Sequence, residues 1–162
     1  MHRNNLIAWV LSVCFIALIP SVGAAQTAKS ERFKVDTSMA VLQSTALALG
    51  APKVQGNDLY FGNTKAADVV GALVDKLGGA ASIFLKSGDQ YVRVATTLKK
   101  EDGSSAVGTA LDANSPALAK LNNGAPYSGD ATLFGETYDA GYEPIKDASG
   151  AVIGAYFVGF PK

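Results

Sequence analysis

Hydrophobic positions between residues 29 and 49 recur at helical spacing. They lie 4, 3, 4 and 3 positions apart, at Val35, Met39, Leu42, Ala46 and Leu49. This spacing places the five side chains on one stripe of an amphipathic helix. Gly50-Ala51-Pro52 follows, and since Gly favours a helix C-cap and Pro cannot continue a helix, the helix is predicted to end there. We therefore predict a helix from Lys29 to Leu49.

The hydrophobic period changes from helical to alternating after Gly79. A second helix is predicted over 64–77 with Thr64 as its N-cap, and a short third helix over 116–122 with Ser115 as its N-cap. Strands are predicted over 80–86, 90–98, 131–137, 138–145 and 151–160. Hairpin-length turns favour an antiparallel sheet, which the helices have to cover. The predicted fold class is α+β, an antiparallel sheet of about five strands with the last strand, apolar on both faces, at its centre.

The first 25 residues have the composition of a secretory signal peptide. Arg3 precedes an apolar run from Leu6 to Ile19, and Gly23 and Ala25 precede the polar Gln26. An uncleaved membrane anchor is the alternative, but a spanning helix needs roughly 20 apolar residues. The chain is therefore divided into a signal peptide (1–25), an N-terminal helix segment (26–55) and a main domain (56–162). We expect the mature protein to be periplasmic or secreted.

Cleavage of this segment changes the chemistry that the protein can perform. The chain has one His, one Trp and one Cys, and they are His2, Trp9 and Cys14. The mature chain of 162 − 25 = 137 residues would lack imidazole and thiol groups, which excludes Cys nucleophiles, Ser-His-Asp triads and the usual zinc or copper ligands. Its 13 basic and 14 acidic residues give a net charge of −1, and this charge does not favour binding to nucleic acid. We predict no enzyme activity, no cofactor and no metal.

Pairs of carboxylates leave one enzymatic alternative. Asp139 with Glu143, or Asp130 with Glu136, could serve as the acid and base of a hydrolase. Such pairs arise by chance in a chain with 14 acidic residues. A carboxylate-dependent hydrolase is therefore the least favoured function.

Arg93 is the most informative polar residue of the predicted sheet. Strict alternation places Tyr91, Arg93 and Ala95 on one face of their strand and Val92, Val94 and Thr96 on the other. The donor fork of Arg suits a carboxylate or a phosphate. An arginine within a strand either pairs across the sheet, reaches the surface or points into a cleft. Both a structural role and a ligand contact stay open for Arg93.

Three tyrosines form a second candidate group. Tyr127, Tyr138 and Tyr142 lie within sixteen positions of one another. Tyrosine can line a pocket and still offer its hydroxyl group to a ligand. Ordinary sheet packing, with the hydroxyl groups reaching solvent, is the alternative.

The C-terminal half carries a set of motifs that resembles the Cache 3/Cache 2 fusion type of the Cache sensor superfamily. These motifs are a Gly-Gly before an apolar strand, a VRVAT strand, a DG..AVGT turn, a Y.G.A.LFG segment and a Y...YEPI.D..G.VIG...VG ending, and the resemblance covers about residues 56–162. The resemblance implies an extracytoplasmic, PAS-like domain with a long N-terminal helix beside a curved antiparallel sheet. It also implies a small-molecule pocket between the sheet and the loops over it.

The chain departs from the usual plan of this family. Most members sit between two transmembrane helices of chemoreceptors, histidine kinases or cyclic-dinucleotide enzymes, whereas a signal peptide stands here in place of the first helix. We expect a stand-alone module. Ser105 stands where relatives often have Arg, which removes a charged group from the DG..AVGT turn.

Together these observations predict an exported Cache domain that binds a small organic ligand, such as an anionic metabolite or an amino acid, and signals or directs chemotaxis through a membrane receptor or kinase. Arg93 would contact an anionic group of the ligand. The other predicted site residues are Tyr127, Tyr138, Tyr142, Phe84 and Thr96. The alternative is a module that binds no metabolite and acts by docking or by forming a weak homodimer through its N-terminal helix.

Export has a direct test. Protein from the periplasmic fraction should have the intact mass of a chain that begins at Gln26, because a signal peptidase cleaves after small residues such as Ala25. A full-length species retained in the inner membrane would contradict this prediction.

Overall fold

The computed structural model describes residues 22–162, and this part of the chain contains three helices and eight strands. The helices are α1 (Val22–Ala48), α2 (Ala66–Leu77) and α3 (Pro116–Asn122). The strands are β1 (Pro52–Gln55), β2 (Asp58–Phe61), β3 (Thr64–Lys65), β4 (Ala80–Ser87), β5 (Gln90–Thr96), β6 (Tyr127–Leu133), β7 (Glu136–Lys146) and β8 (Val152–Pro161). No helix of the described residues is both long and apolar enough to cross a membrane. Most of the predicted signal peptide, residues 1–21, lies outside the described residues.

The main sheet has five antiparallel strands in the order β5-β4-β8-β7-β6. The last strand, β8, occupies the centre, as its two-sided apolar sequence predicts. A second, three-stranded sheet, β1-β2-β3, connects α1 to α2. This architecture confirms the predicted α+β class and its PAS-like arrangement.

Helix α1 packs on one face of the main sheet through the predicted stripe. Four of its five predicted members are buried, and the fifth, Leu49, follows the end of the helix and is 44% exposed. Close approach requires Gly141 of β7, because a Cβ atom there would lie 2.9 Å from Val35 Cγ1. Arg32 anchors the contact by donating to the carboxylate of Asp139 and to the backbone carbonyl of Ala140. The long helix is thus held by apolar burial and by one partly buried ion pair.

The opposite face of the sheet is covered by the connection between β5 and β6. Ser115 caps α3 as predicted, its hydroxyl accepting a hydrogen bond from the Ala117 N–H. Ahead of α3, residues 108–111 run along the free edge of β5. Backbone hydrogen bonds join Gly108 N to Arg93 O at 2.8 Å and Arg93 N to Thr109 O at 2.9 Å. This added pairing closes a second apolar cluster on the face that faces away from α1.

Two predicted boundaries are wrong. The strands predicted over 131–137 and 138–145 are β6 and β7, which meet at a two-residue turn, Phe134-Gly135. The aromatic Phe134 fits a strand pattern, but Gly135 (φ 83°) supplies the left-handed residue that a tight hairpin needs. Thr64, predicted as a helix cap, lies in β3, and the residue that precedes α2 is Lys65, which forms no side-chain cap.

The two sides of α1 should respond differently to truncation. Leu42→Ala should lower the free energy of unfolding by about 2–5 kcal/mol, because Leu42 is fully buried between helix and sheet and a cavity would remain. Val41→Ala is the matched control, because Val41 is the neighbour of Leu42 in the helix and is 37% exposed. This substitution should change the free energy of unfolding by no more than about 0.5 kcal/mol. Urea denaturation measures both values. Equal losses would contradict this placement of the helix.

Candidate functional site

A bulge in β5 determines which side chains share a face with Arg93. Ile83 pairs with Ala95, but the next residue of β4, Phe84, pairs with Arg93, so Val94 is an extra residue. Ala95 therefore lies on the α1 side, and Thr96, opposite Ser82, returns to the Arg93 side. The strict alternation expected for this strand is wrong, because one inserted residue reverses the faces that follow it.

Arg93 is buried on the sheet face that the β5–β6 connection covers. It is 2% exposed. Its Nη1 donates to Thr109 Oγ1 at 2.8 Å, and that hydroxyl donates in turn to the Ala106 carbonyl at 2.7 Å. The guanidinium carbon lies 4.7 Å from the centre of the Phe84 ring and 5.4 Å from that of the Phe134 ring. Two aromatic rings and one hydroxyl group therefore surround the cation.

Several buried donors around Arg93 have no hydrogen-bond partner among the described residues. They are Arg93 Nε and Nη2 and the hydroxyl groups of Tyr91 and Tyr142. Burial lowers the pKa of Arg93, with the neighbouring Tyr142 acting in the opposite direction, and burial raises the pKa of Tyr142. No Asp or Glu of the described residues forms an ion pair with Arg93. The group offers hydrogen atoms to an acceptor that the protein itself does not supply.

A cavity adjoins one member of this group of donors, Tyr142. Its volume is about 250 Å³, and it lies between the segment before α3 and the outer strand β6, with Leu111, Leu133, Tyr142, Asp112 and Asp130 among its walls. The Tyr142 ring also contacts the Phe84 ring, at 6.3 Å between centres, and Phe84 underlies Arg93. Tyr142 therefore borders both the cavity and the buried donors. The space suits a small metabolite, being below the usual range of pockets for drug-sized ligands.

This pocket lies between an antiparallel sheet and the loops over it, with a long N-terminal helix on the other face. A family model for the Cache 3/Cache 2 fusion domain matches residues 24–162. The chain belongs to this family. The match includes α1 as well as the sheet. Cache domains are extracytoplasmic sensor and ligand-binding modules rather than enzymes. A search of curated proteins finds no match.

The predicted site residues of this Cache domain all lie on or beside the Arg93 face, but not in one cluster. Phe84 contacts Arg93, and Tyr142 packs against Phe157 and Tyr127, with ring centres 4.9 and 6.0 Å apart. The Tyr127 hydroxyl donates to the Asp130 carbonyl at 3.0 Å. The core of the group is therefore Arg93 with Phe84 and Tyr142, and Tyr127 lies behind Tyr142.

Two of the predicted residues are engaged elsewhere on this face. The Tyr138 hydroxyl donates to the carboxylate of Glu136, on the same strand. The Thr96 hydroxyl shares a hydrogen bond of 2.7 Å with Ser82 and also contacts the Ala81 carbonyl. Their polar groups already have partners within the Cache domain.

Three residues next to Arg93 were absent from the sequence-based site. Thr109 ends the DG..AVGT motif, which was a usable signal. Tyr91 shares the predicted face of Arg93, and the same alternation could have included it. Phe134 belongs to the Y.G.A.LFG motif, but only the turn that follows β6 shows that its ring reaches Arg93.

Three of the four carboxylates considered for hydrolysis form contacts with other side chains. Asp139 pairs with Arg32, Asp130 pairs with Lys162, and Glu136 accepts from Tyr138. Glu143 faces α1, where Asp36 lies nearby. Within residues 22–162, apart from the few side chains left undescribed, no group of three or more His, Cys, Asp or Glu residues is placed to hold a metal ion.

Glu143 should make the stability of the domain depend on pH. Burial, and secondly the charge of Asp36, raise the pKa of Glu143 above its ordinary value of 4.5. Protonation therefore favours the folded state, and this contribution is lost as the pH rises from 4.5 through the raised pKa. Glu143→Gln should be more stable than the unmodified protein at pH 7, and the difference should shrink towards pH 4.

Urea denaturation across this pH range measures the difference. Glu101→Gln is the matched control, because Glu101 is exposed in the turn after β5. A Glu143→Gln effect that does not change with pH would contradict the prediction.

Proposed function

We propose that this protein is an exported sensor module that binds a small carboxylate-bearing metabolite on the sheet face opposite α1. Arg93 would donate from Nε and Nη2 to the carboxylate, and the hydroxyl groups of Tyr91 and Tyr142 would donate to its remaining acceptor positions. The observation that carries the proposal is the set of four buried, unpartnered donors on this face, of which the Tyr142 hydroxyl belongs to a residue that lines a cavity of about 250 Å³. Arg binds carboxylates through two parallel hydrogen bonds, and no carboxylate of the described residues is paired with Arg93.

Arg93 has no paired carboxylate among the described residues, and this gives the site its selectivity. Asp112 and Asp130 also line the cavity, and Asp130 is paired with Lys162. An uncharged amide or alcohol of the same shape would leave the buried guanidinium without a counter-charge. A cationic amine would meet a like charge. The ligand class is therefore an organic acid or the carboxylate of an amino acid, and transmission to a membrane receptor or kinase would follow from its binding.

A thermal-shift screen tests the ligand class. Monocarboxylates, dicarboxylates and amino acids are compared with their primary amides at equal concentration. A ligand at 100 times its dissociation constant should add about 2.7 kcal/mol to the free energy of unfolding. Stabilisation by the acids and not by the amides is the expected result, and equal effects of both would contradict the proposal.

Arg93→Met separates a binding role from a structural one. The variant should bind the stabilising acid about ten- to a hundredfold more weakly, because hydrogen bonds to charged groups contribute about 1.5–3 kcal/mol. The unliganded variant should melt at the same temperature or higher, because a buried, unneutralised charge is removed from an apolar face. Calorimetric titration and thermal melting measure the two effects. Lys120→Met, on the exposed side of α3, is the control for losing one positive charge.

A structural arginine would give the opposite pattern. Unchanged affinity together with a clearly lower melting temperature would remove Arg93 from the binding site. Loss of both properties would mean that the guanidinium holds the β5 edge together.

The alternative function, a docking or dimerisation module, has one supporting observation. The side of α1 that faces away from the sheet exposes apolar side chains, with Phe33 70% exposed and Leu47 56% exposed. A weak homodimer through this side would bury them. In that case the screen would show no stabilising acid, and light scattering would show a mass that rises with concentration.

A further inference from the structure

The buried position of Arg93 raises the question of how a ligand reaches it. With 2% of the residue exposed, its two unpartnered N–H groups are enclosed by the side chains around them. Binding of the proposed carboxylate therefore requires one of these side chains to move. Tyr142 lies nearby but is fully buried in β7, which pairs on both sides with other strands. The side chains that contact the guanidinium are Phe84, Thr109 and Phe134.

Two of these three are held firmly. Phe84 is fully buried in β4, which pairs on both sides with other strands. Thr109 belongs to the segment that is hydrogen-bonded to the edge of β5, and its hydroxyl is bonded to the Ala106 carbonyl. Displacing either one would break several hydrogen bonds or open the core.

Phe134 is less firmly packed than Phe84 and Thr109. It is half-buried and lies in the two-residue turn between β6 and β7. None of the residues of β6, the outermost strand, is fully buried. Structure with few buried contacts at the edge of a sheet opens locally at a lower free energy than the core does. Of the three contacts, the Phe134 ring is the one that moves with the least disruption.

The backbone of Phe134 supports this reading. Among the described residues it is the only one other than glycine with a positive φ, at 50°. Such turns favour Asn-Gly, and an aromatic residue at the first position is disfavoured. The contact of the ring with the Arg93 cation, at 5.4 Å from its centre, and with the second apolar cluster offsets this strain. The ring is thus held in place by the cation that it covers and by the second apolar cluster.

We propose that Phe134 is the gate of the ligand site: its ring covers the Arg93 guanidinium in the unliganded protein and swings out to admit the ligand. This inference rests on the proposed function, because the gate would admit the ligand of that function. Its test needs no ligand, because access to Arg93 can be measured chemically.

The probe is 2,3-butanedione, a small uncharged reagent that modifies accessible guanidinium groups. Peptide mass spectrometry follows the modification of Arg93 and of Arg32, whose side chain is 30% exposed and serves as the internal reference. In the unmodified protein Arg93 should react more slowly than Arg32. In Phe134→Asn, which keeps a residue suited to the turn, Arg93 should react at least about tenfold faster while Arg32 is unchanged.

Thr137→Ala is the matched control, because Thr137 is exposed in β7 of the same hairpin, where it pairs with Thr132. It should leave the Arg93 rate close to that of the unmodified protein. Equal acceleration in Thr137→Ala would show general loosening of the hairpin and overturn the gate. An Arg93 rate unchanged by Phe134→Asn would also overturn it.

A second variant distinguishes loss of the ring from a folding defect. Phe134→Gly removes the ring and relieves the strain at positive φ, so it should also accelerate Arg93 modification. If both variants lose their cooperative thermal transition, the ring is a structural requirement and the gate is rejected. Accelerated modification without any stabilising carboxylate would reject the proposed function and leave the gate standing.

Discussion

The central strand β8 carries apolar side chains on both faces, so both faces of the sheet must be covered for the domain to fold. Ala155 and Phe157 face the second cluster, and Tyr156 and Val158 face the helices. Covering one face requires α1 and α2, and covering the other requires the long connection between β5 and β6. The candidate site lies under this second cover, which consists of loops and a short helix.

Arg93 is the one charged side chain that lies buried on this face among the described residues. Burying a guanidinium without a carboxylate partner costs free energy, which one hydroxyl and two aromatic rings only partly offset. A domain selected for stability alone would place an apolar residue here. The arrangement is typical of a site where stability is lower so that a charged group stays available to a ligand.

Strand β7 links this site to the helix on the other side of the sheet. Its alternation directs Tyr142 to the buried donors, and directs Gly141 and Glu143 to α1. Gly141 allows α1 to approach, and Arg32 anchors it to Asp139 on the same strand. The ligand face and the helix face therefore share one strand, with side chains of successive residues on opposite sides.

Local pattern determined the elements and their order. The stripe of α1, the hairpin of β4 and β5, the cap of α3 and the central place of β8 all follow from hydrophobic spacing and turn residues, because these signals act over a few positions. The family is recognisable from motifs that contain the residues of the same turns. The choice of Arg93 and Tyr142 also came from the sequence, through the alternation of the strand and the spacing of the tyrosines.

Tertiary structure decided which side chains meet. The bulge at Val94 reversed the expected faces of Ala95 and Thr96, and an inserted residue of this kind depends on the partner strand rather than on local sequence. Thr109 and Phe134 reach Arg93 from segments 16 and 41 positions away (109 − 93 and 134 − 93). Such contacts arise from the pairing of the β5 edge with residues 108–111 and from the turn after β6. Spacing along the chain predicts neither the pairing at the β5 edge nor the position of this turn, because both depend on how distant strands align.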